Sequence, residues 1–93
     1  MITANAYYDG NVKSLGFENG SGRATVGVME KGDYEFSTGA PEKMTLISGA
    51  WALQLPESDE FVPFGVGETV SIPGDSSFKL QISEPSAYHC MYM

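Results

Sequence analysis

The stretch DYEFSTGAPE, residues 33 to 42, sets carboxylates, hydroxyls and a turn glycine close together: Glu35, Ser37, Thr38, Gly39 and Glu42. With the KMTLISGAW that follows, it has the layout of a metal-binding strand pair. A short alternating strand leads to a proline turn, a glutamate and a longer apolar strand carrying a glycine. It contains no histidine. Zn²⁺, Fe²⁺ and Mn²⁺ normally take three or four protein ligands, imidazole prominent among them, so these residues suit a metal poorly.

They suit an anion or a hydroxylated ligand better. Arg23, the one arginine, follows the turn NGSG, and a guanidinium forms two parallel hydrogen bonds with an oxyanion. As an ordinary strand-end residue it would instead pair with one of the twelve acids. Ser37 and Thr38 can donate hydroxyl hydrogen bonds, and Gly39 lets a backbone N–H approach closely. The same three residues also make a plain turn. Glu42 either points into a pocket or faces water beside Lys43. His89, the one histidine, has the proton affinity for transfer near neutral pH, or sits at a surface or interface. Cys90 and Trp51 read as packing residues.

The elements that must position these groups are short strands. No window of a dozen residues has helical apolar spacing without a Gly or Pro inside it, and runs of period two recur instead. Strands are expected near Tyr7–Tyr8, Val12–Phe17, Arg23–Met29, Asp33–Ser37, Met44–Leu55, Phe61–Phe64, Thr69–Ile72, Phe78–Ile82 and Ala87–Tyr92. The turns between them, among them DGN, ENGSG, TGAPE, PGDSS and SEPS, are rich in Gly, Pro, Asn, Asp and Ser. Such a chain predicts an all-β sandwich or barrel in a single domain, residues 1–93. Alternation puts Tyr34 and Phe36 on one face of their strand and Glu35 and Ser37 on the other. In the third strand Arg23, Thr25, Gly27 and Met29 oppose Ala24, Val26 and Val28. Tyr7 and Tyr8 cover either a cavity mouth or a dimer edge.

Composition narrows the function. A net charge of −7, with five scattered cations, argues against a nucleic-acid polymer as partner. With 42 % hydrophobic residues the chain is expected to pack rather than stay disordered. No stretch reaches the roughly 18 apolar residues of a membrane helix. A single cysteine and a start lacking signal-peptide character fit a cytoplasmic protein.

Two resemblances sharpen this. GETVSIPGDSSF, residues 67 to 78, resembles the second cupin motif, and residues 33 to 51 resemble the first. Aligned on Glu42, Gly49 and Pro73, the metal-binding histidines would fall at Glu35, Ser37 and Phe78, so of four usual ligands only Glu42 is left. The segments VKSLGF, GRATVGVM, GDYEFST, PEKMTLISGA, IPGDSSF and YHCMYM resemble, in one register over nearly the whole chain, the pyrimidine/purine nucleoside phosphorylases, which are small cupins. That resemblance implies a cupin-like jelly-roll barrel or sandwich of short antiparallel strands. It also implies a cytoplasmic homodimer that cleaves nucleosides with inorganic phosphate to free base and pentose 1-phosphate, without a metal or other cofactor. On this reading Arg23, Glu35 and Ser37 carry catalysis: Arg23 holds phosphate, Glu35 meets pentose hydroxyls or offsets oxocarbenium charge, and Ser37 bonds phosphate or pentose. Tyr34, Phe36, Thr38, Gly39, Phe78 and His89 contact substrate. The same groups would equally serve a noncatalytic module binding a nucleotide, sugar or anion.

Overall fold

The structure is a computed structural model and describes residues 2–93. The order is β1 (Thr3–Tyr7), a 3₁₀ turn (Tyr8–Gly10), β2 (Val12–Asn19), β3 (Gly22–Met29), β4 (Gly32–Thr38), β5 (Glu42–Gln54), β6 (Val62–Phe64), β7 (Thr69–Ile72) and β8 (Ser76–Tyr92). Every pairing is antiparallel. The all-β expectation holds, and no helix among the described residues is long and apolar enough to cross a membrane.

Three local expectations are corrected. The first strand begins at Thr3, where the small side chains of TANA give almost no hydrophobic alternation. Tyr8 leaves that strand: Tyr8 and Asp9 have φ of 52° and 56° and Gly10 has 88°, a left-handed run that turns the chain. SEPS is no turn but lies inside β8, so two expected short strands are one of 17 residues. Pro85 is tolerated because β8 changes neighbours there. It pairs with β4 up to Ile82 and with β3 from Ser86, leaving a gap where a missing N–H costs no ladder bond.

Two half-sheets result, sharing β5 and β8. One holds β4, the first half of β8, the second half of β5, and β6. The other holds β1, β2, β3, the second half of β8, the first half of β5, and β7. The bend falls where β5 shifts register between Leu46 and Trp51. Gly49 makes the bend possible: its φ is +101°, and a Cβ there would lie 2.8 Å from the Pro85 carbonyl oxygen. Inward alternation then gives the core, with Leu80 and Ile82 of β8 against Trp51 and Leu53 of β5, each no more than 3 % exposed. Each such side chain contributes about 1.5–3 kcal/mol on burial. β1 and β4 do not pair, but the Tyr7 and Tyr8 rings close on Phe36 at 6.0 and 5.7 Å, so the halves meet around an interior space.

Candidate active site

A cavity of about 330 Å³ opens between the halves, within the range of small-molecule sites. Its walls come from six strands and the 3₁₀ turn, and they are largely aromatic. Phe36 and Phe78 are cross-strand partners with ring centroids 6.0 Å apart. Tyr7 and Tyr8 form the lip, and Tyr88 and Tyr92 the far wall. The lip is fastened by Tyr8, whose hydroxyl donates to the Glu35 carbonyl at 2.6 Å and accepts from the Glu35 N–H at 3.0 Å.

Space exists because of one glycine. Gly27 of β3 faces inward, and a Cβ on it would lie 2.6 Å from the Tyr88 ring. The ring therefore lies flat against bare backbone. Tyr88 is buried, and burial, with Tyr92 and Cys90 alongside, pushes its phenol well above the ordinary range.

Glu42, at the start of β5, shares the inward face with Met44 and Leu46 and lines the cavity half-buried. This decides between the two orientations left open above. Its carboxylate Oε1 accepts the Cys90 S–H at 3.3 Å. Burial raises the Glu42 pKa above the ordinary carboxylate value, while the Cys90 hydrogen bond and the Arg23 charge pull it down. The Cys90 thiol is held protonated, first by burial, then by the neighbouring carboxylate, so it is a hydrogen-bond donor and not a nucleophile. The site thus presents a carboxyl with raised proton affinity beside flat apolar walls.

The expected site residues divide. Phe36 and Phe78 are walls, while Glu35 and Ser37 sit exposed at the rim. Tyr34 is core: its hydroxyl donates to the Glu30 carbonyl at 2.8 Å, and it does not line the cavity. Thr38 is buried away from it, its hydroxyl donating to the Pro73 carbonyl at 2.8 Å and accepting from the Ser76 N–H at 3.1 Å. Gly39 caps the same turn, its carbonyl accepting from the Asp75 N–H at 3.0 Å. His89 alternates away from Tyr88 and Cys90 and pairs with Val26 and Thr45 on the outer face. Arg23 is on the same face of β3 as Gly27 but is exposed to water, bordering a second chamber of about 410 Å³ with its guanidinium carbon 4.7 Å over the Tyr92 ring. Sequence reasoning missed Tyr88, Cys90 and Tyr92 as walls. The signal was present, since period two in YHCMY puts those three on one face and His89 on the other.

The residues do not fit a cupin metal. The former ligand positions hold Glu35, Ser37 and Phe78 beside Glu42, and among the described residues no three His, Cys, Asp or Glu side chains converge on one point.

Comparison with known proteins places the chain. A family model described as pyrimidine/purine nucleoside phosphorylase matches residues 2–92. The chain belongs to that family. It is 50 % identical to the pyrimidine/purine nucleoside phosphorylase of Aeromonas salmonicida, over 100 % of this chain and 99 % of that one. The phosphorylase of Pectobacterium carotovorum is also 50 % identical, over the full length of both. Among solved structures, a Vibrio parahaemolyticus protein of unknown function superposes with a TM-score of 0.96 at 40 % identity, covering 100 % of this chain and 99 % of that one. A cupin-2 domain from Rhodospirillum rubrum, at 15 % identity and a TM-score of 0.74 over 96 % of this chain and 67 % of its own, shares the fold. The chain is thus a cupin-like member of the nucleoside phosphorylase family, a family of pentosyltransferases.

Proposed function

We propose that the chain phosphorolyses purine and pyrimidine nucleosides in the aromatic cavity without a metal, releasing free base and pentose 1-phosphate. The observation that carries this reading is the inward Glu42, a carboxyl of raised proton affinity among rings that can stack on any base. Base–aromatic stacking is tolerant because every base has a π-face, which supports a broad base range. In the step, a phosphate oxygen bonds to the anomeric carbon as the C–N bond breaks, and its electron pair moves onto the base. Glu42 gives the base a proton. The proton that hydrogen phosphate loses on becoming the ester returns to Glu42, so the cycle balances. Glu35 and Ser37 at the rim face the pentose hydroxyls.

The test is base release from uridine and inosine with and without inorganic phosphate. Release that requires phosphate and survives chelator is expected. Folded protein that turns over no nucleoside at saturating phosphate would leave a binding module.

The second part of the proposal is a homodimer in the cytoplasm. One buried free cysteine supports a reducing compartment. The outer face of β2 and β3 supports the dimer: Leu15 pairs with Val26, and Leu15, Val26 and Val28 are 52, 39 and 55 % exposed. With Ala4 and Ala6 they line an apolar groove of about 560 Å³, a surface a second copy would cover. Sedimentation should give a dimer for the native chain and a monomer for Val28→Asp.

A further inference from the structure

The aromatic cavity and the Arg23 chamber are neighbours, and Tyr92 borders both. The register explains why. Glu18 of β2 pairs with Arg23 of β3, Arg23 stacks on Tyr92 of β8, and Tyr92 pairs with Glu42 of β5. One row across four strands therefore reads acid, arginine, tyrosine, acid. The Tyr92 ring is held from its tip, with its hydroxyl 3.3 Å from Thr25 Oγ1.

We propose that the Arg23 chamber seats the oxyanion co-substrate where it meets the aromatic cavity at Tyr92, within reach of a nucleoside there, and that its occupation drives a proton onto Glu42. The proposal rests on the phosphorolysis reading above and adds an order to it. The chamber offers one guanidinium, the Thr3, Asn5 and Thr25 side chains, and an opposing carboxylate, Glu18, exposed to water. The contact with the Tyr92 ring holds the guanidinium at the chamber, where its N–H groups can take an anion.

The coupling is electrostatic. With the chamber empty, the Arg23 charge favours the ionised form of Glu42. A bound dianion neutralises that charge and adds its own, so the carboxyl takes up a proton. Linkage makes this reciprocal: protonating Glu42 tightens the anion by the same factor. Phosphate binding thereby prepares the acid that the departing base needs. Other groups facing Glu42 are Cys90 and Tyr88 from β8, Tyr7 and Tyr8 at the lip and Glu35 at the rim. Lys43, its chain neighbour, alternates to the outside. Tyr92 is a positioning residue here; it holds Arg23 and touches neither reacting atom.

Sulfate is the probe, since it stays fully ionised and any proton taken up belongs to the protein. Calorimetry on the native chain, in two buffers of different ionisation heat, would span about pH 5 to about pH 8. Binding should be accompanied by proton uptake and should strengthen as pH falls. In Glu42→Gln the uptake should vanish and the affinity become independent of pH. Arg23→Ala should weaken sulfate about tenfold or more, and Tyr92→Leu several-fold, while Tyr92→Phe keeps the stacking ring and most of the affinity. Failure of sulfate to bind, binding without uptake, or uptake that survives Glu42→Gln would each overturn the proposal. So would sulfate binding indifferent to Arg23→Ala, or Tyr92→Phe as weak as Tyr92→Leu. Phosphorolysis that persists in any of those cases removes the coupling alone. Intact coupling without nucleoside turnover removes the catalytic reading alone.

Discussion

β8 is one strand with two characters. Between Phe78 and Ile82 its inward residues are hydrocarbon, and Leu80 and Ile82 pack against Trp51 and Leu53 of β5. Between Ser86 and Tyr92 every inward residue carries a heteroatom: Ser86, Tyr88, Cys90 and Tyr92. The same two strands run beside each other throughout, so the difference comes from the third. Next to the first half, β4 supplies the large inward rings of Tyr34 and Phe36. Next to the second half, β3 supplies Thr25 and Gly27, and space is left over. One end of the pair is scaffold and the other is chemistry. At the scaffold end β5 and β8 contribute no inward group to titrate, and the chemical end has little to lose in packing.

The largest expected effect sits at the chemical end. Glu42→Gln keeps the shape and an acceptor for the Cys90 S–H but removes the proton donor. It should lower kcat about 100-fold or more, the usual scale for a lost general acid, and leave thermal stability near that of the native chain. Leu80→Ala should do the reverse. Removing a fully buried leucine costs about 2–5 kcal/mol, while nucleoside KM and kcat per folded molecule stay close to native. Steady-state kinetics and denaturant melts on both variants settle the division. Comparable losses of activity and stability in either variant would show that the two ends are not separable.

A smaller effect tests what makes the cavity. Gly27→Ala sets a methyl against the Tyr88 ring, where ideal geometry leaves 2.6 Å. The ring has open volume on its far side, so it should tilt into the cavity. Overpacking of this kind costs about 1–3 kcal/mol, and the nucleoside KM should rise with kcat less affected. A native KM would place the nucleoside away from the Tyr88 wall.

How much of this was legible in the sequence follows the same divide. Period two puts Phe78, Leu80 and Ile82 on one face of the expected strand Phe78–Ile82, because hydrocarbon alternation is the strongest strand signal. Glycine and proline gave the turn positions, except that Pro85 read as a break. Only the change of partner from β4 to β3 makes it acceptable inside β8, and partner identity is a long-range fact. At the chemical end, residue types drew attention to the right region and the wrong neighbours. Ser37, Thr38 and Gly39 are adjacent in the chain, but alternation and the turn send Thr38 into the Pro73–Ser76 backbone and Ser37 to the rim. His89 drew attention by its chemistry while the fold turned it outward. Glu42, Cys90 and Tyr92 meet through the β5–β8 register, which no local window contains. The Arg23–Tyr92 stack likewise joins strands far apart in sequence.

The subtlest test uses pH on the fold itself. Burial raises the Glu42 pKa in the folded chain above its unfolded value. Between those two values the folded state holds more protons than the unfolded state, so stability must fall as pH rises through that interval. The contribution is fully present below the unfolded value and is gone once pH has passed the folded one. The other acids among the twelve bend the curve in their own ways, so the readout is a difference. Unfolding free energy of the native chain minus that of Glu42→Gln, measured from about pH 4 to about pH 8, should decline with rising pH and then level. Adding sulfate should move the decline to higher pH, because an anion beside Arg23 keeps the carboxyl protonated longer. A difference that rises with pH would mean that the Arg23 charge outweighs burial at Glu42, and the carboxyl would then reach the base already ionised.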